Sequence, residues 1–457
     1  MDNFFKLKEH GTDVRTEIIA GVTTFLSMVY ILAVNPSLLA ASGLNSAAVF
    51  TATAISAAFA TLIMAFYANY PVALASGMGL NAYFSFSVCI PMAEAGIQDP
   101  WKIALTAVFI EGIIFVLLSF TNFREKLVND VPANLKYGIT SGIGLFIVII
   151  GLKGAGIVSA DPATLVTMGS VKSPQFILAL IGFLIIALLV HYNVKGAVLI
   201  GILSTWVLGM IAQATGWYQV NIEAEAFSLY PVFSLKNIIP HAPTLFAFNF
   251  KWIGENLIEF LVITFSFLFV DLFDTVGTLI GVASKGNLLD EDGNLPRAKQ
   301  ALMSDALGTM AGACLGTSTV TSFVESSAGV ASGGRTGLTS VTTAVLFIIA
   351  LFFSPIFLAI PAFATTPALV YVGLLMLSAI KNMTFDDNIA DTVSGFLAIV
   401  MMPFTYSIAN GIMFGMLSWV ILKILTKKIS DIAPVMWISA GLFVIRLITL
   451  GLGIGFH

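Results

Sequence analysis

Four carboxylates stand in apolar surroundings in the second half of this 457-residue chain: Asp271, Asp274, Asp305 and Glu325. A carboxylate inside an apolar span either faces a cavity or is neutralised by a proton, because desolvation penalises the charged form. Both outcomes suit proton-coupled transport. Asp271, Asp274, Thr275 and Thr278 recur at three- and four-residue spacings and so share one helical face, with no cation in the same span to pair with either aspartate. Asp271 is expected at a ligand and Asp274 is the second choice, although the spacing does not separate them. Asp305 is expected to be a structural partner of the polar stretch that follows it. Asn81 offers a donor and an acceptor, which fits an amide-like or heterocyclic ligand as well as a helix–helix hydrogen bond. Phe323 is placed to cover a planar ligand, and Tyr83 and Phe84 are weaker candidates in a chain with 37 phenylalanines.

Other chemistries lack their parts. There is no Walker Gly-Lys-Ser/Thr sequence, no His-Glu-x-x-His and no Gly-x-Ser-x-Gly. His10, His191, His241 and His457 fall at span ends or in loops, and Cys89 and Cys314 have no ligand-spaced partner, so no metal site and no cofactor is expected. Arg335, at a span end, is the one cation near the candidate residues. The site therefore favours a neutral or cationic cargo over an anion.

These residues need a membrane scaffold to position them. With 58% apolar and 10% charged residues, the chain has too few charges to cover a water-soluble surface of this size, and a nucleic-acid partner is excluded on the same ground. A bilayer core of ~30 Å takes ~20 apolar residues per helix. That length gives spans near 16–42, 46–68, 72–90, 103–120, 135–152, 175–190 and 197–213. They resume near 257–283, 299–315, 318–333, 337–360, 367–381, 391–407 and 409–426. These are fourteen transmembrane segments of an all-α polytopic protein. Lys6, Lys8, Arg15, Arg124, Lys126, Lys136, Lys195, Lys285, Arg297, Lys299, Arg335, Lys381, Lys423, Lys427 and Lys428 fall on one side, against Lys102, Lys153, Lys172, Lys236 and Lys251 on the other. The positive-inside rule then puts both termini in the cytoplasm, in a multi-pass plasma-membrane protein (the inner membrane of a bacterium). A further apolar stretch, 434–452, carries Arg446 at its middle. A central arginine costs at least ~2.5–3.5 kcal/mol on insertion scales, which favours an interfacial or packed helix over another span.

The halves echo one another. Gly196-Ala-Val-Leu-Ile-Gly-Ile-Leu-Ser-Thr-Trp206-Val in the seventh span parallels Gly411-Ile-Met-Phe-Gly-Met-Leu-Ser-Trp419-Val in the fourteenth. Seven spans per half is odd, so two such repeats lie in opposite orientations across the bilayer. The expected division is 1–213 for the first repeat, 214–256 for a polar extracytoplasmic linker, 257–427 for the second repeat and 428–457 for a C-terminal segment. At matching places, the third span (Pro71-Val-Ala-Leu-Ala-Ser-Gly77-Met-Gly79-Leu-Asn81) and the tenth (Gly316-Thr-Ser-Thr-Val-Thr-Ser-Phe323-Val-Glu325) read as a short extended run followed by a short helix. Interrupted spans in corresponding positions point to a transporter's central site. Gly308, Gly312 and Gly316 form a small-residue stripe for close packing of the ninth helix.

The run from Gly316 to Gly337, together with Thr16-Glu-Ile-Ile-Ala-Gly21, Gly77-Met-Gly-Leu-Asn81-Ala-Tyr-Phe and Phe269-Val-Asp271-Leu-Phe-Asp274-Thr-Val-Gly277-Thr, resembles the purine permeases of the nucleobase-cation symporter-2 group, specifically their adenine/guanine/hypoxanthine branch. The resemblance extends over almost the whole chain. It implies fourteen spans in two inverted repeats with a core and a gate domain, and proton symport of purine nucleobases. It places Asn81, Asp271 and Glu325 at the substrate with Asp274 and Thr275 beside them, and Glu325, Asp271 or Asp274 is the expected proton carrier. Glu325-Ser-Ser departs from the Gln-Asn-x-Gly pattern of the xanthine/uric-acid branch, which makes xanthine, urate or uracil weaker expectations. The remaining alternative is an anion carrier or channel of the same fold, of the sulfate or bicarbonate kind. A homodimer is left open.

Overall fold

The computed structural model describes residues 2–119, 130–221, 227–231, 239–290, 295–385 and 388–451. Arg124, Lys126, Lys236, His457 and parts of the expected 214–256 linker lie outside the described residues. The chain is mostly helical, and among the described residues nine helices are long and apolar enough to cross a membrane. In the numbering of the expected spans these are spans 1 and 2 (Val14–Ala40, Ser46–Ala68), 4 to 7 (Pro100–Ser119, Ala133–Gly154, Pro174–His191, Ala197–Ala214), 11 and 12 (Gly337–Leu358, Ala362–Asn382) and 14 (Ile408–Leu425). Helices Leu257–Lys285, Ala298–Leu315 and Ile389–Phe404 correspond to spans 8, 9 and 13.

Spans 3 and 10 are broken as the sequence predicts. Strand Leu74–Ser76 leads into a helical run from Met78 that passes through a π-helical stretch, Tyr83–Cys89, to Glu94, and strand Val320–Ser322 leads into helix Ser326–Ala331. The strands pair antiparallel, with Leu74 opposite Ser322 and Ser76 opposite Val320. Gly77 N–H to Thr319 O and Phe323 N–H to Ala73 O, each 3.0 Å, extend the pairing at both ends.

A two-stranded ribbon has two open edges, and bare backbone groups are not tolerated in hydrocarbon. Side chains from surrounding helices close them. Thr61 Oγ1 takes the Leu74 N–H at 2.9 Å and donates to the Leu74 carbonyl at 3.2 Å. Thr309 donates to the Val320 carbonyl at 3.0 Å, and Asp305 accepts the Ser322 N–H at 3.1 Å. The glycine stripe of span 9 lets the helix come this close: a Cβ on Gly308 would stand 2.6 Å from Ala60 Cβ.

The helices sort into two bundles. Spans 1, 2, 4, 8, 9 and 11 pack around the strand pair, whereas spans 5, 6, 7, 12, 13 and 14 pack on one another. Each bundle draws spans from both halves of the chain. We refer to them as the core and gate bundles. In the gate bundle spans 5 and 13 meet at backbone contact, where a Cβ on Gly138 would lie 2.5 Å from the Gly395 carbonyl.

One feature escaped the sequence reading. Residues 158–168 form a β-hairpin between spans 5 and 6, turned by Asp161, whose side chain accepts the Ala163 and Thr164 N–H groups at 2.8 Å each. Those bonds, Thr164's first, hold its carboxyl below the ordinary value. The stretch 434–452 forms helix Pro434–Gly451, packed along span 14 and against span 8, with Arg446 only 9% exposed.

Candidate functional site

The two strand-to-helix junctions face one cavity. It measures about 60 Å³ and is lined by Gly77–Gly79 from span 3, Asp274 and Thr278 from span 8, Thr321–Glu325 from span 10, and Val372 and Met376 from span 12. Core and gate bundles therefore both contribute walls. The opening turn of the helix after Gly77 leaves its first N–H groups without intrahelical acceptors, which supplies donors at the cavity's edge.

Asp274 and Glu325 are both part-exposed, whereas Asp271, Asp305 and Asn81 have no exposure at all. Glu325 accepts a hydrogen bond from the hydroxyl of Tyr30, which sits at the break between helices Val14–Met28 and Ile31–Ala40 of span 1. Phe323 is buried and forms part of the wall. A Cβ at Gly77 would stand 2.6 Å from Thr321 Cγ2, which crowds span 10, and 3.7 Å from Asp274 Oδ2, an ordinary contact.

Asp271 and Thr275 stand one layer behind. Thr275 Oγ1 lies 3.0 Å from Asp271 Oδ1, 3.0 Å from Asp305 Oδ1 and 2.7 Å from Thr321 Oγ1. A hydroxyl carries one proton, so it serves one of the two carboxylates at a time. Asp305 combines this bond with the strand edge, the structural partnership the sequence suggests. Asn81 accepts from Ser76 Oγ at 2.7 Å and returns a 3.4 Å bond to the Ser76 carbonyl, and it does not line the cavity. Thus the structure brings Asp274, Phe323 and Glu325 to the cavity together, and places Asn81, Asp271 and Thr275 behind its wall. Tyr83 and Phe84 pack instead on Phe267, with ring centroids 4.7 and 6.4 Å apart.

Sequence reasoning missed Tyr30, for which the only signal is a hydroxyl within an apolar span. It also passed over two buried glutamates of the first half. Glu111 accepts from Thr319 Oγ1 at 2.9 Å, next to the strand end that holds Gly77. Glu17 accepts the N–H groups of Arg335, Thr336 and Thr339 at 2.9, 3.3 and 3.1 Å, a negative charge capping the positive end of span 11's helix. Arg335 Nη1 donates to the carbonyls of Val330 and Gly334, both at 2.7 Å, where it caps helix Ser326–Ala331.

Glu325, Val324 and Val372 also border a second, wider cavity of about 550 Å³, which runs out past Ser327, Tyr371 and Asn193 to Lys195 and Lys285. The large cavity at the opposite end, about 880 Å³ between residues such as Ser37, Gly154 and Tyr218, touches none of the candidate residues. The site thus has a broad approach from the lysine-bearing end.

Two bundles, with paired half-spans over a cavity that holds two carboxylates and is reached from one end, define a membrane carrier. Residues 15–448 match the model of the Permease family Xan_ur_permease, and the chain belongs to that family: it is a multi-pass permease, not an enzyme. It is 42% identical to the adenine permease AdeP of Escherichia coli K12 over 98% of this chain and 96% of that one. It is 45% identical to the guanine/hypoxanthine permease PbuO of Bacillus subtilis over 98% of this chain and all of the other. In structure it is similar to the transmembrane domain of the cyanobacterial bicarbonate transporter BicA, with TM-score 0.64 at 16% identity, covering 87% of this chain and 97% of that one. The murine anion transporter Slc26a9 in its inward-facing state gives 0.63 at 13% identity, over 90% and 68%. These two likenesses concern the fold.

Proposed function

We propose that the chain imports purine nucleobases, adenine, guanine or hypoxanthine, by proton symport with alternating access. The carrying observation is the cavity between the half-spans, which two part-exposed carboxylate side chains, Asp274 and Glu325, line together with Phe323. A neutral purine presents ring N–H and amino edges that carboxylates accept. Its face suits the phenylalanine ring, and its carbonyl or ring nitrogen suits the N–H groups that open the helix at Gly77. With about ten or eleven heavy atoms and at most ~1.5 kcal/mol from each, a few well-placed bonds must carry the discrimination. Asp271, Thr275 and Asn81 act one step back, holding the half-spans in register.

One cavity carboxylate, Glu325 or Asp274, takes up the coupling proton, and the gate bundle moves against the core to expose the site to the other side. The lysine-bearing end is the cytoplasmic one, as the loop charges require, so the arrangement described is open inward. An anion cargo would meet two carboxylates in the cavity and no cation among its lining residues. In proteoliposomes with an inward proton gradient, radiolabelled adenine or hypoxanthine accumulates above equilibrium and a protonophore abolishes the accumulation. Uptake of bicarbonate or sulfate in place of purine would refute this reading.

A further inference from the structure

On the side of the site away from Lys195 and Lys285, a fourth cavity of about 70 Å³ lies between the two bundles. Its core wall is formed by Tyr83, Ser87 and Met92 of span 3 and Glu259 and Ile263 of span 8, and its gate wall by the turn Thr405–Ser407 with Asn410. The remaining charge comes from neither bundle: it is Arg446 of helix Pro434–Gly451. A guanidinium stays charged and is retained within a membrane only where it faces polar groups. Here Glu259, Ser407 and Asn410 share its cavity, and the helix that carries it packs on the gate through span 14 and on the core through span 8.

The route from this cavity to the carboxylates is shut. Along span 3, Gly79 lines the central cavity and Ser87 the outer one, with Tyr83 between them. Along span 8, Asp274 lies below and Ile263 above, with Phe267 between. Tyr83 and Phe267 meet edge to face there, both buried, and fill the core side of that layer. About one turn further out the bundles touch directly, since Ile408 N–H donates to Ser87 Oγ at 3.4 Å and the Phe86 ring meets Tyr406 edge-on at 6.1 Å.

We infer that Arg446, with Glu259, is a positioning element of the carrier's extracytoplasmic gate: the C-terminal helix inserts a charge between the bundles that holds them together on that side while the site is open to the other. Separation of the bundles hydrates the cavity and disperses the polar groups around the guanidinium. The closed arrangement is therefore favoured by contacts that exist only when the outer side is shut, and Arg446 acts on the equilibrium between arrangements without touching cargo. The inference rests on the alternating-access reading above.

The test is reagent access, with a cysteine placed at Met92 in a chain whose Cys89 and Cys314 are replaced by alanine. A charged, membrane-impermeant thiol reagent is added from the extracytoplasmic side of cells, and Ala95→Cys, exposed at the same end, serves as the freely reacting reference. Met92→Cys should react at least about 10-fold more slowly than the reference, and Arg446→Ala should raise that rate about 10-fold, since removing one member of a buried polar cluster biases the equilibrium towards the arrangement that hydrates it. Arg446→Lys should keep the slow rate, and Glu259→Gln should raise it about 3-fold by the same logic. An unchanged rate in both Arg446→Ala and Glu259→Gln, or a Met92→Cys rate equal to the reference with Arg446 intact, overturns the inference. Labelling needs no cargo, so a chain that gates in this way yet accumulates no purine would overturn the proposed function alone.

Discussion

Two polar clusters hold the paired strands, one built around each half of the chain, and they solve the same problem with different chemistry. In the first, Asn35 of span 1 donates to Thr53 of span 2 at 2.7 Å and to Thr317 at 2.9 Å, Thr317 donates to Ser76 at 3.3 Å, and Ser76 donates to Asn81 at 2.7 Å. Each of these hydrogens is used once, in one direction, and no member titrates. In the second, Thr275 of span 8, Asp305 of span 9, Thr321 and the Ser322 N–H meet around two carboxylates that share one hydroxyl proton. The neutral cluster is fixed, whereas the acidic one can change charge, and it adjoins the two carboxylates that face the cavity. Under the proposed function the first half's cluster is scaffold and the second half's takes part in proton-linked work.

The largest effects should come from the acidic side. Glu325→Gln and Asp274→Asn each remove an ionisable group that serves the cargo or the coupling proton, and losing a hydrogen bond to a charged group, worth ~1.5–3 kcal/mol, should lower apparent affinity by about 10- to 150-fold in uptake kinetics. Asp305→Ala comes next. It leaves the Ser322 N–H at the strand edge without its acceptor, and a loss of ~1–3 kcal/mol should appear as a lowered melting temperature in detergent together with weaker uptake. In the neutral cluster, Asn81→Ala should lower stability by ~1 kcal/mol while leaving the order of preference among adenine, guanine and hypoxanthine intact. A change in that order would move Asn81 into the binding site and weaken the comparison.

The smallest effect belongs to a charge outside both clusters. Asp431, in the turn after span 14, bonds Lys423 Nζ at 3.0 Å, and that bond, followed by the lysine's charge, holds its carboxyl below the ordinary value of 3.8. A depressed carboxyl stabilises the fold above its unfolded pKa and loses that contribution as pH falls through the folded one, so Asp431→Asn should leave thermal stability at pH 7 and above nearly unchanged and flatten its decline below pH ~4 only slightly.

The breaks in spans 3 and 10 were legible because glycine, proline and β-branched residues interrupt otherwise helical apolar runs, and Glu325 was legible because charge is so scarce there. That the two extended runs pair with each other is a contact across more than two hundred residues, and local pattern does not encode it. Asp271 and Asp274 illustrate a finer limit. Three residues apart, they differ by about 60° around a helix of 3.6 residues per turn. Periodicity puts them on one face, yet Asp274 and Thr278 line the cavity and Asp271 does not, although Thr278 lies only about 20° from Asp271 around the axis, so depth along span 8 decides as well as rotation. Tyr30 was hidden for the same reason, since its partner is Glu325 in the other half. Arg446 was conspicuous as an expensive residue, but only the packed helix reveals the polar cavity that accommodates it.

The central claim is that the cavity carboxylates of the second half link cargo to protons while the neutral cluster of the first half does not. Its most direct test is the steady-state ratio of internal to external radiolabelled purine in proteoliposomes under an imposed proton gradient, compared among the native chain, Glu325→Gln, Asp274→Asn and Asn81→Ala. The account expects gradient-driven accumulation in the native chain and in Asn81→Ala, and its loss in the two carboxylate variants. Undiminished accumulation in both Glu325→Gln and Asp274→Asn would contradict it.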